Sequence, residues 1–531
     1  MEYSRVLTSK GYALLKSAIS AEKQEWIRKQ LTVAPKVNTK FVGAKAAAFP
    51  VFFESSTRFY LPRHWAREHF GPEEASIIPE GSPLPSTATF TGKPFDYQEN
   101  IIESFVGSAK ASASAPAKQE LLGRTLMMPA TTRKPGEGLI CVPCGKGKTF
   151  MALAIAARLG GRFLIVVDKE FFLEQWRAEI NRFFPGLRIG VLQGDRCETS
   201  AKSYDCTIVM IQTLVQRPFP ADFAADYSLA IFDECHHLGA QNFSQSLLKI
   251  QTKYMLGLSA TPEREDKLER VFYWSIGPAV YQEKTREADD TVTVRTIHYR
   301  TKDTSYSEEP VDFRGEVVMA RLLGQVVEHE ERTRMIAGVI QEIVAAEPGR
   351  CILVLSERKN MLERIEQLLA EMDGIVVGYY VGGMKAADRD WTAKEANVIL
   401  ATYSMSSEGM SIARLNAVIL GSPRKKVEQS VGRILRERVA DRKIGRLIVD
   451  VVDQHGLYQG QARKRASFYR ECGYKIMVQT FQDGAFNELL EVGGKRGGTA
   501  PKGKPNKHTI ADSSDDEGGS RALEIADSDS D

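Results

Sequence analysis

Cysteine is scarce, seven in 531 residues, and too scattered for a disulfide framework, which fits a reducing compartment. No uninterrupted apolar stretch is long enough to cross a bilayer, and Met1-Glu2-Tyr3-Ser4-Arg5 lacks the apolar core of a signal peptide. An intracellular protein with no membrane partner is expected. Cys141 and Cys144 form a C-x-x-C, but the second lies in a glycine-rich loop, so two small core-facing thiols are expected rather than a metal or redox pair. Net charge is almost absent at +3, yet it is unevenly distributed. Residues 511–531 hold eight acids against Arg521, a charge of −7, and leave +10 on the rest. A basic body favours partners with phosphate backbones, DNA or RNA, without choosing between them or an acidic protein.

What is present centres on Val142-Pro143-Cys144-Gly145-Lys146-Gly147-Lys148-Thr149. The apolar run Leu139 to Val142 precedes it and a helical pattern, Met151 to Leu159, follows. Strand, glycine-rich loop and helix make a phosphate loop: backbone N–H groups and the helix N-terminus hold phosphate oxygens. Cys144, Gly145, Lys146 and Gly147 line it, Lys148 reaches the β/γ-phosphates, and Thr149 holds Mg²⁺. ATP and Mg²⁺ are the expected cofactors.

Apolar runs at Phe163 to Val167, Thr207 to Ile211, Leu229 to Phe232 and Met255 to Leu258 alternate with helical patterns, predicting a parallel sheet covered on both faces. Active residues then belong at the strand ends. Asp233-Glu234-Cys235-His236 stands at one such end: Asp233 for Mg²⁺, Glu234 for the attacking water, and His236 as a γ-phosphate sensor, with His237 a structural histidine. Ser259-Ala260-Thr261 ends the next strand and suggests a link between hydrolysis and movement. A second alternating block follows at Ile352 to Leu355, Val376 to Tyr380, Val398 to Thr402, Ala417 to Leu420 and Leu447 to Val452. It lacks a phosphate loop but carries Gln429-Ser430-Val431-Gly432-Arg433-Ile434-Leu435-Arg436. Arg433 and Arg436, about one helical turn apart, can offset charge on a transferring phosphate that the first block leaves without an arginine. A site divided between two blocks lets ATP close a cleft and hydrolysis open it.

The predicted organisation is an N-terminal α+β module at 1–90, a nucleotide-binding α/β domain at 91–285 with a flexible insertion at 107–137, a connecting segment at 286–330, a second α/β domain at 331–490, and a disordered tail at 491–531, basic then acidic. In the first module, basic residues interleave with aromatics from Arg58 to Trp65. They suit either a nucleic-acid grip or an aromatic core. Gln98, after Pro94-Phe95-Asp96-Tyr97, can read an adenine edge.

In order, Val142 to Thr149, Asp233 to His236, Ser259 to Thr261, Ala401-Thr402 with Glu408-Gly409, and Gln429 to Arg436 resemble the motifs of superfamily 2 helicases. The resemblance implies two tandem RecA-like domains with parallel sheets. Leu256 to Pro262, Arg264-Glu265-Asp266, Trp274, Gly277, and Ser422-Pro423-Arg424 into Gln429 resemble the branch that holds the xeroderma pigmentosum group B helicase, phage annealing helicases and the transcription-associated helicases of poxviruses and other large DNA viruses. Ser411 stands where relatives usually have Asp. Membership would imply 3′ to 5′ ATP-driven movement on DNA, with unwinding, annealing or transcript release as outcomes. It would also imply adenine recognition by Gln98, a hydrolytic half-site of Lys148, Thr149, Asp233 and Glu234 completed by Gln429, Arg433 and Arg436, and coupling through His236, Ser259, Thr261 and Gly409. Asp168 to Trp176, Gln212, Thr213, Ala401 and Thr402 would track the strand; for Trp176, helix packing is an equal alternative. RNA polymerase or transcription factors are candidate partners, and a viral protein would be expected in the virion or at the site of viral replication. The remaining alternatives are an RNA-directed enzyme and an ATP-switched scaffold.

Overall fold

The computed structural model describes residues 3–492 except 36–46, 108–118, 122–123, 127–135, 144, 221, 240, 261–262, 265, 284–287, 408–409, 411, 436 and 438–441. Three larger sheets organise the chain.

The first, near the N-terminus, has five strands in the order Phe53–Glu54, Arg58–Leu61, Gly11–Leu15, Arg5–Thr8, Ala75–Ser76. Its helix Ala21–Gln30 starts where the Ser20 hydroxyl accepts from Lys23 N–H at 3.2 Å, and a second helix spans Arg63–Phe70. Trp26 and Trp65 stack at 5.5 Å between centroids. The basic–aromatic stretch that suggested a nucleic-acid grip is spent on packing: Phe59, Leu61, Arg63, His64 and Trp65 are all buried. Arg63 donates to Glu137 at 2.9 Å, to the Gln251 amide oxygen, and to the Thr252 carbonyl at 3.0 Å. Arg67 pairs with the same Glu137 and with Glu73 at 2.9 Å. These cations therefore fasten the module to the first residue of the strand leading to the phosphate loop.

The second sheet has eight strands in the order Arg196–Cys197, Ile189–Gln193, Cys206–Met210, Phe163–Val167, Leu229–Phe232, Tyr254–Ser259, Glu137–Cys141, Ala279–Gln282. All neighbours are parallel except the short Arg196–Cys197 edge. Phe163–Val167 and Cys206–Met210 are buried at every position, as expected for strands covered on both faces. The expected insertion at 107–137 ends one residue early, because Glu137 opens the phosphate-loop strand. Within it, Gln119–Leu121 and Arg124–Leu126 form an antiparallel pair; 108–118, 122–123 and 127–135 lie outside the described residues.

The third sheet has nine strands and runs parallel from Val377–Tyr380 through Val398–Thr402, Ile352–Ser356, Ala417–Leu420, Arg446–Asp453 and Val292–Arg300 to Lys475–Gln482. Ala485–Phe486 and Leu490–Val492 add antiparallel to the last. Two expectations are corrected. The segment 286–330 is more than a connection, since Val292–Arg300 lies between Arg446–Asp453 and Lys475–Gln482. Its buried positions, Val292, Val294, Ile297 and Tyr299, are interrupted by Thr293, Arg295, Thr296 and His298, and Arg295 is carried by a bidentate pair with Glu342 at 2.8 and 3.0 Å. Residues 491–492 belong to a strand rather than the tail; the basic and acidic stretches of 493–531 lie outside the described residues. Among the described residues, no helix is long and apolar enough to cross a membrane.

Candidate nucleotide-hydrolysis site

Parallel strands present their C-terminal ends along one edge, and both sheets place their chemically active loops there. In the eight-stranded sheet, Glu137–Cys141 runs into the glycine-rich loop and the helix Lys148–Leu159. Gly147 has φ +82°, which favours glycine, and a Cβ there would lie 2.5 Å from Gln98 Nε2 and displace that amide. Gly145 also has positive φ, +88°. Cys144 lies outside the described residues. Gln98 is buried at the start of the helix Asp96–Val106; its amide oxygen accepts from Phe95 N–H at 3.0 Å and its amide nitrogen donates to the Lys146 carbonyl at 3.1 Å. The Tyr97 hydroxyl reaches the same carbonyl at 3.2 Å, and the Lys146 ammonium pairs with Glu283 at 3.2 Å. Gln98 thus meets the loop despite the intervening insertion. Phe95 and Tyr97, which precede it and stack with centroids 5.9 Å apart, were given no role from the sequence.

These residues border a cavity of about 510 Å³ that also takes in Lys148, Thr149, Asp233, Glu234 and Arg433. Asp233 follows Leu229–Phe232; its Oδ2 accepts the Trp176 indole N–H at 2.8 Å and its Oδ1 accepts Glu234 N–H at 3.0 Å. Glu234 stands at φ +41°, a left-handed conformation that costs a non-glycine residue and that catalytic loops commonly retain. Its Oε1 lies 3.7 Å from Lys148 Nζ. Desolvation, then the neighbouring Glu234 charge, raises the Asp233 pKa. For Glu234 desolvation acts the same way, but Lys148, His236, His237 and Arg433 outweigh it and hold the carboxylate ionised. Glycines at positive φ, a lysine, a helix N-terminus, a hydroxyl and a carboxylate form a donor set suited to a polyphosphate with a hard divalent cation.

His236 Nδ1 lies 3.2 Å from Ser259 Oγ and 3.4 Å from Glu234 Oε2, linking the acidic motif to the end of the adjacent strand. Burial pushes the His236 ring down to about 4, so it is neutral near pH 7. Arg264 donates to the His236 carbonyl and pairs with Asp266 through contacts of 2.5 and 2.8 Å, a more specific arrangement than a solvated turn. His237 is held by Asp168 at 2.5 Å. Thr261 and Glu265 lie outside the described residues.

From the nine-stranded sheet, Arg433 enters the same cavity. It is buried and donates to the carbonyls of Ser406 at 2.6 Å and Met410 at 2.9 Å, tying the segment after Val398–Thr402 to the site. The expected one-turn pairing with Arg436 does not rest on a continuous helix: the helix spans only Glu428–Val431, and Arg433 stands in the turns beyond it. Arg436 and Gly409 lie outside the described residues, as do Glu408 and Ser411. Gln429 lines an adjoining cavity of about 360 Å³ with His236, Arg264, Asp266, Tyr403 and Arg424.

The strand-tracking set divides. Thr213 and Ala401 are buried; Thr213 Oγ1 accepts from Gly194 N–H at 3.0 Å, so those two side chains are committed to the fold. Gln212 donates to the Asp168 carbonyl at 2.6 Å, and Thr402 Oγ1 lies 3.2 Å from Ser404 Oγ. Trp176 is 1% exposed and presents no ring face to a strand, which favours helix packing of the two readings its sequence left open.

Two family models match the chain: the type III restriction enzyme res subunit over residues 91–264 and the helicase conserved C-terminal domain over residues 335–438. A protein of Acanthamoeba polyphaga mimivirus, provisionally named an ATP-dependent RNA helicase, is 28% identical over 88% of this chain and 86% of its own length. An African swine fever virus protein, also provisionally named an ATP-dependent RNA helicase, is 27% identical over 62% of this chain and 68% of its own length. Escherichia phage T5 has a helicase-named protein 27% identical over 64% of this chain and 74% of its own length. With the restriction-enzyme res-subunit model matched to the sheet that carries the phosphate loop, the helicase C-terminal model matched to the sheet after it, and helicase-named relatives along most of the chain, the protein is a nucleic-acid-dependent ATPase of the helicase type, built on two RecA-like domains.

Proposed function

We propose that the protein is an ATP-driven translocase that moves 3′ to 5′ on DNA and thereby unwinds, anneals or releases strands. The observation that carries this reading is the entry of Arg433 from one sheet into the cavity formed by Lys148, Thr149, Asp233 and Glu234 of the other. A hydrolytic site completed only when both sheets contribute makes nucleotide binding and domain closure one event. Lys148 holds the β/γ-phosphates, Thr149 and Asp233 hold Mg²⁺, and Glu234 orients the attacking water. Arg433, with Arg436 beside it in sequence, offsets charge on the transferring group. Bound Mg²⁺ supplies the positive charge that neutralises the phosphate oxygens. The His236–Ser259 contact passes the state of the site to the sheet edge.

The motifs around Leu256 to Pro262 and Ser422 to Gln429 resemble the xeroderma pigmentosum group B branch, and relatives from large DNA viruses and a phage support a viral setting. Transcript release is the favoured output there, with a polymerase or transcription factor as partner and the virion or the site of replication as location. An RNA track is the second reading, favoured by the names of the mimivirus and African swine fever virus relatives. ATP hydrolysis measured with single-stranded DNA, duplex DNA and RNA, for the native protein and Lys148→Ala, separates the two. Stimulation by DNA that Lys148→Ala abolishes supports the first, stimulation by RNA alone selects the second, and Lys148-independent turnover refutes the site.

A further inference from the structure

Trp176 belongs to none of the motifs that point to hydrolysis. It sits midway along the helix Glu170–Phe183 with its indole enclosed, and its N–H reaches Asp233 Oδ2 at 2.8 Å while Glu234 N–H holds Oδ1 at 3.0 Å. Donors on both oxygens fix the carboxylate plane, and each oxygen keeps a lone pair for a further partner. We propose that Trp176 is the positioning residue for the metal-holding carboxylate, an inference that rests on the role given to Asp233 above. Indole suits the task because it donates without accepting, carries no charge and does not titrate. Lysine or arginine at that place would neutralise the carboxylate and compete with the cation. The same helix lines the nucleotide cavity through Phe172, Gln175 and Glu179. It begins just after Asp168, whose carboxylate meets His237 at 2.5 Å and whose carbonyl accepts from Gln212 at 2.6 Å. A displacement at that sheet edge therefore reaches Asp233 through one hydrogen bond.

The test replaces Trp176 with 3-benzothienylalanine, which keeps the ring size and exchanges the N–H for sulfur, and separately with phenylalanine. Mn²⁺ affinity is measured by the electron paramagnetic resonance of free Mn²⁺ with a non-hydrolysable ATP analogue, alongside melting temperature and the Mg²⁺ dependence of hydrolysis. Removing an outer hydrogen-bond partner of a metal ligand weakens metal affinity about 10- to 100-fold. That weakening is expected in the isostere with an unchanged melting temperature, together with a parallel rise in half-saturating Mg²⁺. An isostere that binds Mn²⁺ like the native protein overturns the proposal; should the isostere not fold, Trp176→Phe is judged by the same Mn²⁺ criterion. Asp233→Asn is the control. If it also leaves Mn²⁺ affinity intact, the metal-holding role of Asp233 is wrong; if it alone loses affinity, only the role of Trp176 is wrong.

Discussion

Glu137→Gln should destabilise the junction between the N-terminal module and the phosphate-loop domain by about 3–5 kcal/mol, the cost of removing one member of a buried ion pair. Glu137 is 4% exposed and faces Arg63, His64 and Arg67. Glutamine keeps the shape and removes the charge that two buried guanidiniums require. Arg63 would retain Gln251 and the Thr252 carbonyl, and Arg67 would retain Glu73, so the loss falls short of that for two isolated cations. At about 2–4 °C per kcal/mol for a unit of 150–250 residues, the melting transition of this part should fall by roughly 6–20 °C. Calorimetry with limited proteolysis would identify which part melts first. The pH dependence adds a sign. Burial opposes ionisation of Glu137, but Arg63, His64 and Arg67 outweigh it and hold its pKa well below the usual value. Its stabilisation is therefore complete above the unfolded glutamate pKa of about 4.3 and disappears as pH falls through the lower folded value. The variant's deficit should persist from neutrality to about pH 5 and close only in stronger acid. A shift under about 2 °C would refute the cluster as a sealed junction.

His64 gives the same sign in a higher window: burial lowers its pKa below 6.5, so the unfolded chain takes up a proton as pH falls below that value while the native ring resists. Native stability should decline from pH 6.5 to 5, and His64→Asn should flatten that decline in melting curves; equal slopes would reject it. Arg433→Ala should lower kcat for ATP about 10³-fold or more with less than about a tenfold change in KM, read by phosphate release; a kcat loss under tenfold would remove Arg433 from the reaction. Ser259→Ala deletes the hydroxyl beside His236. Basal hydrolysis should stay within about threefold while base pairs displaced per ATP fall about fivefold or more, a split that an uncoupled ratio assay checks and that equal losses in both would disprove.

The phosphate loop, Asp233-Glu234 and the buried parallel strands were legible because each is a local signal: glycines at fixed offsets, an acidic pair ending an apolar run, uninterrupted hydrophobic stretches. Val292–Arg300 was not, because its polar residues are accommodated by partners remote in sequence, such as Glu342 for Arg295. The Arg58 to Trp65 stretch was ambiguous for the same reason: Arg63 finds Glu137 74 positions away. Trp176 is adjacent to Asp233 only after the fold forms, 57 positions separating them. Sequence periodicity registers which face is apolar; it does not register which distant carboxylate will meet a cation.

The placement of Val292–Arg300 has a further consequence for how the chain is made. Both its neighbours, Arg446–Asp453 and Lys475–Gln482, emerge after it. At roughly 5–20 residues per second, the interval to Arg446 is about 7–30 s, during which a strand carrying Val292, Val294, Ile297 and Tyr299 has neither edge paired. Termination after Arg300 and before Arg446 leaves that strand as an open, aggregation-prone template. Ile352–Ser356, Val377–Tyr380, Val398–Thr402 and Ala417–Leu420 pair with one another before Arg446 emerges, so the second half of the molecule is completed from its middle outward, and its yield in cells depends on protection of the early strand during synthesis.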